Sequence, residues 1–258
     1  MQLTFYKYQG TGNDFIIMDN RAGTIQLSKE QVHRLCDRRF GIGADGLMLL
    51  NSREGYDFEM IYYNADGGES TMCGNGGRCL TRFAYDRGIH RDSFHFIAVD
   101  GEHKATMGEH DWIHLKMKDV TGIRDYHGDS ILDTGSPHLV KQVNDIMNIN
   151  VFQEGKEIRY NHDFAAEGIN VNFVENDEHA ITVRTYERGV EDETYSCGTG
   201  VTACALVFAH NENGFNRIEV QTKGGHLAVE FDKTGEASFE DIWLCGPATF
   251  VFSGTVEI

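Results

Sequence analysis

The stretch Ser196-Cys197-Gly198-Thr199-Gly200-Val201-Thr202-Ala203-Cys204-Ala205-Leu206-Val207-Phe208-Ala209 decides the fold. Its glycine-rich start opens a helix expected over 198–211, with Gly214 just past the end. From Val201 onward this helix has almost no polar face, and a helix that is apolar all round is buried on all sides. Strand-like segments precede it (131–133, 139–143, 169–174, 179–186) and follow it (218–221, 227–231, 237–244, 249–256). The expected arrangement is a sheet curled around a central helix.

The first half repeats the plan. Met72-Cys73-Gly74-Asn75-Gly76-Gly77-Arg78-Cys79 opens a helix over 74–86, ended by Gly88, with Cys79, Leu80, Phe83 and Ala84 as a broad apolar face. Strands are expected at 3–8, 15–18, 47–51 and 58–64, and a meander over 93–120. Ser28 caps a further helix over 29–38. We expect an α+β fold of two pseudo-symmetric domains, each a curled mixed β-sheet around a central helix, with the active site in the cleft between them.

Composition narrows the functional classes. The 258 residues suffice for one large domain or two smaller ones, and only Pro137 and Pro247 interrupt a chain without a Pro- or Ser-rich linker. The net charge of -17 argues against binding a phosphate backbone, so no nucleic-acid partner is expected. No basic segment leads into an apolar stretch at the start, and the apolar run at 201–209 is far short of the roughly 20 residues a membrane span needs. A cytoplasmic protein with reduced thiols and no membrane partner is expected.

Six cysteines and 12 histidines invite a metal reading. Structural zinc sites favour closely spaced pairs, whereas Cys73 and Cys79, and Cys197 and Cys204, are six and seven positions apart. Cys36, Cys79, Cys204 and Cys245 read as small core hydrophobes. His110 and His114 lie in a strand-like context where i, i+4 residues do not stack, so no metal is expected. Gly41-Ile42-Gly43-Ala44-Asp45-Gly46 fits a dinucleotide fingerprint by letter, but a helix precedes it and a strand follows. That order is reversed, so it reads as a turn and implies no nucleotide.

Cys73 and Cys197 are different. Each stands at a helix entrance, where unpaired N–H groups favour a thiolate and form an anion site suited to a carboxylate. The glycines beside them let a ligand approach the backbone. Two such sites suggest a small α-carboxylated molecule with one sulfur on each side of its Cα. A redox pair, or two unrelated cysteines, remain as alternatives from the pattern alone.

Several ordered motifs then carry a resemblance that spans nearly the whole chain. They are G-T-G-N-D-F at 10–15, G-I-G-A-D-G at 41–46, N-A-D-G at 64–67, M-C-G-N-G-G-R-C at 72–79, G-S-P-H at 135–138, Y-E-R-G at 186–189 and S-C-G-T-G at 196–200. The sequence resembles the diaminopimelate epimerases, amino-acid epimerases that work without PLP. The resemblance implies two α/β domains related by a pseudo-twofold, set at 1–118 and 119–247, with the last strand (248–258) returning to the first. It implies conversion of LL-diaminopimelate to the meso form, no cofactor, and a homodimer. Cys73 and Cys197 would be the two bases, polarised by Glu187 and His138. Gly74, Asn75, Gly198 and Thr199 would hold the reacting carboxylate, and Asn13, Asn64, Asn170 and Arg188 the distal end of the substrate. Arg188 suits bidentate carboxylate binding. Two positions depart from well-known members: Ser136 stands where they often have Asn, and Gly46 where they can have Gln. A racemase of another amino acid on the same fold, and a non-enzymatic redox or binding protein, are the competing readings.

Overall fold

The computed structural model describes residues 2–109, 112–177 and 179–258, so His110 of the His110/His114 pair lies outside the described residues. The chain divides into two compact units, Met1–Leu115 with Pro247–Ile258, and Lys116–Gly246.

The first unit runs β1 (Gln2–Gly10), β2 (Asn13–Asp19), α1 (Lys29–Cys36), β3 (Gly46–Asn51), β4 (Phe58–Asn64), α2 (Gly74–Asp86), β5 (Ser93–Ala98), β6 (Gly101–Met107) and β7 (Trp112–Lys116). The pairing alternates: β1 with β2 antiparallel, β2 with β3 parallel, β3 with β4 antiparallel and β4 with β5 parallel. The β5, β6 and β7 strands continue antiparallel. Parallel neighbours need long crossovers, and these crossovers carry α1 and α2. Ser28 forms the expected capping box with Gln31. The α1 helix stops at Cys36, short of the expected residue 38. Asp37 turns extended (φ -62, ψ 126) and its Oδ1 accepts from the N–H groups of Arg39 and Phe40, each at 2.7 Å.

The second unit runs β8 (Val120–Thr121), β9 (Arg124–Tyr126), β10 (Asp129–Asp133), β11 (Pro137–Gln142), α3 (Val151–Arg159), β12 (Asn170–Asn176), β13 (Ile181–Glu187), β14 (Asp192–Thr194), α4 (Gly198–Val207), β15 (Gly214–Thr222), β16 (Gly225–Gly235) and β17 (Ser238–Pro247). Its pairing follows the same rhythm. The β10–β11 pair is antiparallel, β11–β12 parallel, β12–β13 antiparallel and β13–β15 parallel; β15–β16 and β16–β17 are antiparallel. The parallel crossovers carry α3 and α4. The last strand, β18 (Thr249–Glu257), pairs antiparallel with β1 in the first unit.

As the apolar pattern demands, α4 packs against β10, β11, β12, β13, β15 and β16, and Gly200–Leu206 are buried. It ends at Val207, four residues earlier than expected. Asn211 takes its backbone N–H to Asn216 Oδ1 (2.8 Å) and its amide to the Phe215 carbonyl (2.7 Å), contacts a continued helix would not allow. The α2 helix matches its expected bounds and packs on β1, β2, β3 and β18. Cys36, Cys79, Cys204 and Cys245 are all buried.

Candidate active site

Each unit carries its own cysteine-led helix entrance. In the first, Cys73 is the N-cap of α2 (φ -95, ψ 132), its carbonyl accepting from Gly77 N at 2.7 Å. The first turn of an α-helix leaves N–H groups without an intrahelical acceptor, and no acidic side chain stands in that turn. Asn75 is buried and Gly74 half-buried behind Cys73. Cys73 Sγ lies 3.6 Å from Asn13 Oδ1, and Asn13 Nδ2 donates to Asp45 Oδ2 at 2.6 Å. Asn75 Oδ1 accepts from the fully buried Arg78 guanidinium at 2.9 Å and from Thr11 Oγ1 at 3.4 Å. Asn64 stands exposed at the end of β4, its backbone closing the turn through Gly67 and Gly68.

Three glycines near this entrance are set by packing. Gly76 and Gly77 are closely packed: a Cβ on Gly76 would lie 3.3 Å from Met48 Sδ, and one on Gly77 3.0 Å from Met72 Sδ and 3.2 Å from Leu115. At Gly46 a Cβ would meet the Tyr62 ring at 2.5 Å and the Tyr63 carbonyl at 2.6 Å, so this chain has no room there for a longer side chain such as Gln.

In the second unit Cys197 is the N-cap of α4 (φ -110, ψ 113), again with no acid in the first turn. Its Sγ lies 3.5 Å from Thr199 Oγ1, and the Thr199 carbonyl is held by Thr134 Oγ1 at 2.9 Å. Gly200 is indispensable here: a Cβ would sit 2.4 Å from Asn172 Oδ1, and 3.4 Å from both Cys197 Cβ and His138 Cε1. His138 is fully buried on β11. Asn172 Oδ1 accepts from Thr185 Oγ1 (2.9 Å), so its Nδ2 faces His138 Nδ1 at 3.2 Å and the Leu139 carbonyl at 2.9 Å. An amide donor at Nδ1 places the ring proton on Nε2. Burial pushes the imidazole down to about 3, holding it neutral. Nε2–H is buried with no hydrogen-bond partner among the described residues.

Beside it, Asn170 Nδ2 donates to Ser136 Oγ at 2.9 Å, and Asn170 Oδ1 accepts from Arg188 N at 2.9 Å. Arg188 Nη2 also reaches Ser136 Oγ at 3.2 Å, while Nη1 donates to the Glu167 carbonyl at 3.0 Å. Ser136, Asn170 and Arg188 therefore form one fixed group with an exposed cationic head. Glu187 closes β13, half-buried, one residue before Arg188. Gly198 is buried at the first position of α4.

Sequence reasoning missed Asp45, Arg78 and Asn172. Asn172 was within reach, since it shares the β12 face of Asn170 by the period of two. Asp45 sits in the motif set aside as a mere turn, and Arg78 follows Asn75 by three positions on α2.

A protein-family model for diaminopimelate epimerase matches residues 5–121 and 130–251. The diaminopimelate epimerase of Flavobacterium psychrophilum is 48% identical over 98% of this chain and 100% of its own length. That of Chlorobaculum tepidum is 42% identical over 96% and 99%. The chain belongs to the diaminopimelate epimerase family. Solved structures extend the likeness in fold alone. A PhzF-family phenazine biosynthesis protein of Bacillus anthracis matches with a TM-score of 0.77 at 17% identity, over 100% of both chains. A hydroxyproline epimerase of Agrobacterium vitis matches at 0.69 and 13%, over 99% of this chain and 92% of its own. The diaminopimelate epimerase fold is thus an α+β architecture of mixed sheets, and the chain is an isomerase by family. Among the described residues no helix is long and apolar enough to cross a membrane.

Proposed function

We propose that this protein converts LL-diaminopimelate to the meso form by passing the Cα proton between two thiols, Cys73 and Cys197, without PLP. The observation that carries this reading is the repetition of one device: a cysteine N-cap, no acid in the first turn, and a glycine-bearing helix packed into a curled sheet. Net acceptance of a proton on one face and donation on the other needs two such groups and inverts the centre. As the thiolate takes the Cα proton, negative charge moves into the substrate carboxylate. The first-turn N–H groups at Gly74, Asn75, Gly198 and Thr199 meet that charge where it develops. His138 Nε2–H is a neutral donor for the same region, and Thr199 Oγ is placed to donate to a Cys197 thiolate. Arg188, held by Ser136 and Asn170, takes the distal carboxylate as a bidentate partner, and Asn13 and Asn64 complete the polar lining. Glu187, at the end of β13, polarises the two thiols together with His138.

The protein acts in the cytoplasm, where both thiols stay reduced, and as a homodimer. Incubation with LL-diaminopimelate in D₂O is expected to give the meso isomer carrying α-deuterium, and Cys73→Ala or Cys197→Ala to abolish it. Exchange into another amino acid, with diaminopimelate inert, would transfer the reading to a racemase of different specificity. No exchange into any amino acid, with reversible Cys73–Cys197 oxidation, would make the pair a redox switch.

A further inference from the structure

We infer that Asp45 is a positioning residue that acts through Asn13 to keep Cys73 protonated in the free protein. This deepens the two-thiol reading and rests on it for its catalytic meaning. A carboxylate only accepts hydrogen bonds, so Asp45 Oδ2, 2.6 Å from the Asn13 amide, must face its NH₂ end. The Asn13 carbonyl is thereby turned toward Cys73 Sγ, 3.6 Å away. An acceptor oxygen there pairs with S–H and repels S⁻. The other side of the cluster is oriented the same way from a charge of opposite sign. Arg78 only donates, so it fixes Asn75 with Oδ1 toward the guanidinium (2.9 Å) and NH₂ toward Asn13 Oδ1. That last amide–amide contact is long, at 3.5 Å. The polarity does not depend on it, because each amide is set from its own charged end. Cys197 Sγ instead has the Thr199 hydroxyl 3.5 Å away, a group that can donate to a thiolate. The two entrances are built alike but loaded unlike.

Asp45 does two jobs, and that makes the test decisive. Its Oδ1 accepts from Arg38 Nη2 at 2.7 Å, while Oδ2 accepts from Asn13 Nδ2 at 2.6 Å and, at the longer 3.3 Å, from the Asp14 backbone N–H. In Asp45→Asn only one end accepts. The charged Arg38 donor outcompetes the longer Asp14 N–H contact for that oxygen, so the new NH₂ faces Asn13, and Asn13 must turn its own NH₂ toward Cys73. The experiment is alkylation of the intact protein by iodoacetamide at pH 7.5, with each cysteine followed by peptide mass spectrometry. Asp45→Asn is expected to speed Cys73 alkylation by about 5-fold, the worth of one exchanged hydrogen bond, and to leave Cys197 unchanged. Asp45→Ala, which merely frees Asn13, should lie between wild type and Asp45→Asn. Unchanged Cys73 rates in a folded variant, or equal acceleration at both cysteines, would overturn the inference. Should both variants fail to fold, the wild type still decides. Its infrared S–H stretch, assigned by subtraction of Cys73→Ala, must show a hydrogen-bonded Cys73 thiol, and absence of that band refutes the inference. Because alkylation reads protonation and D₂O exchange reads turnover, a failure of the epimerase reading would leave this result standing, and the reverse.

Discussion

His138 shows how one buried side chain couples chemistry to stability. Its unfolded imidazole binds a proton near the ordinary 6.5, while burial pushes the folded one down to about 3. Between those values the unfolded chain holds the proton and the folded chain does not, so acid favours unfolding. We expect urea midpoints to fall as the pH drops from 6.5 to 5, above the range where ordinary carboxylates titrate, with a slope approaching roughly 1.4 kcal/mol per pH unit. His138→Asn should flatten that segment of the profile, and a wild-type profile already flat there would refute the assignment. The sequence exposed His138 only through its motif, because a lone histidine before an apolar Leu-Val pair reads equally as core. Cys73 and Cys197 were legible because the signal is local: a thiol, a glycine turn and a helix start lie within five residues. Asp45 was not, because its partner Asn13 lies 32 residues away and only the parallel β2–β3 pairing brings them together.

At the scale of the element, the central helices follow from composition, whereas α3 does not. Its sequence, Val-Phe-Gln-Glu-Gly-Lys-Glu-Ile-Arg, buries only Val151 and Gly155 and carries a glycine in its middle, so neither periodicity nor propensity announces it. The structure supplies the reason for the glycine. A Cβ at Gly155 would lie 2.4 Å from Tyr186 Cβ and 2.7 Å from its Cγ, and Tyr186 is fully buried. Helix propensity alone makes Gly155→Ala stabilising by about 1 kcal/mol. The close approach of α3 to β13 reverses the sign. We expect a net loss of about 1–3 kcal/mol by urea denaturation, the range for overpacking a filled site. Tyr186 leads into Glu187 and Arg188, so KM for the substrate should rise in the same variant. A stabilised Gly155→Ala with unchanged KM would show that the contact relaxes freely.

For the whole molecule, the pairing rhythm of antiparallel, parallel, antiparallel, parallel and two further antiparallel steps runs twice along the chain. Only part of it was readable: each parallel step forces a helical crossover, and the glycine–cysteine entrances mark two of the four. What breaks the repeat is β18, which leaves the second unit to pair with β1. On this strand Phe250, Val251 and Phe252 are 48%, 51% and 44% exposed, although Phe250 and Phe252 rest edge-on against Tyr8 and Phe5. Among the described residues no strand pairs with its other edge. An apolar edge strand with one open side is a template for another strand, and a second copy related by a twofold axis offers the same strand antiparallel to it, self-complementary by symmetry. The homodimer we propose is therefore expected to form along β18. Sedimentation should give a dimer for the wild type and a monomer for Phe252→Lys, with the fold of the variant checked by circular dichroism. The charge removes apolar area without touching either cysteine, so loss of turnover in a folded monomer would tie catalysis to assembly. A Phe252→Lys protein that still sediments as a dimer would place the interface elsewhere, and a wild type that stays monomeric at high concentration would remove the dimer from the proposal altogether.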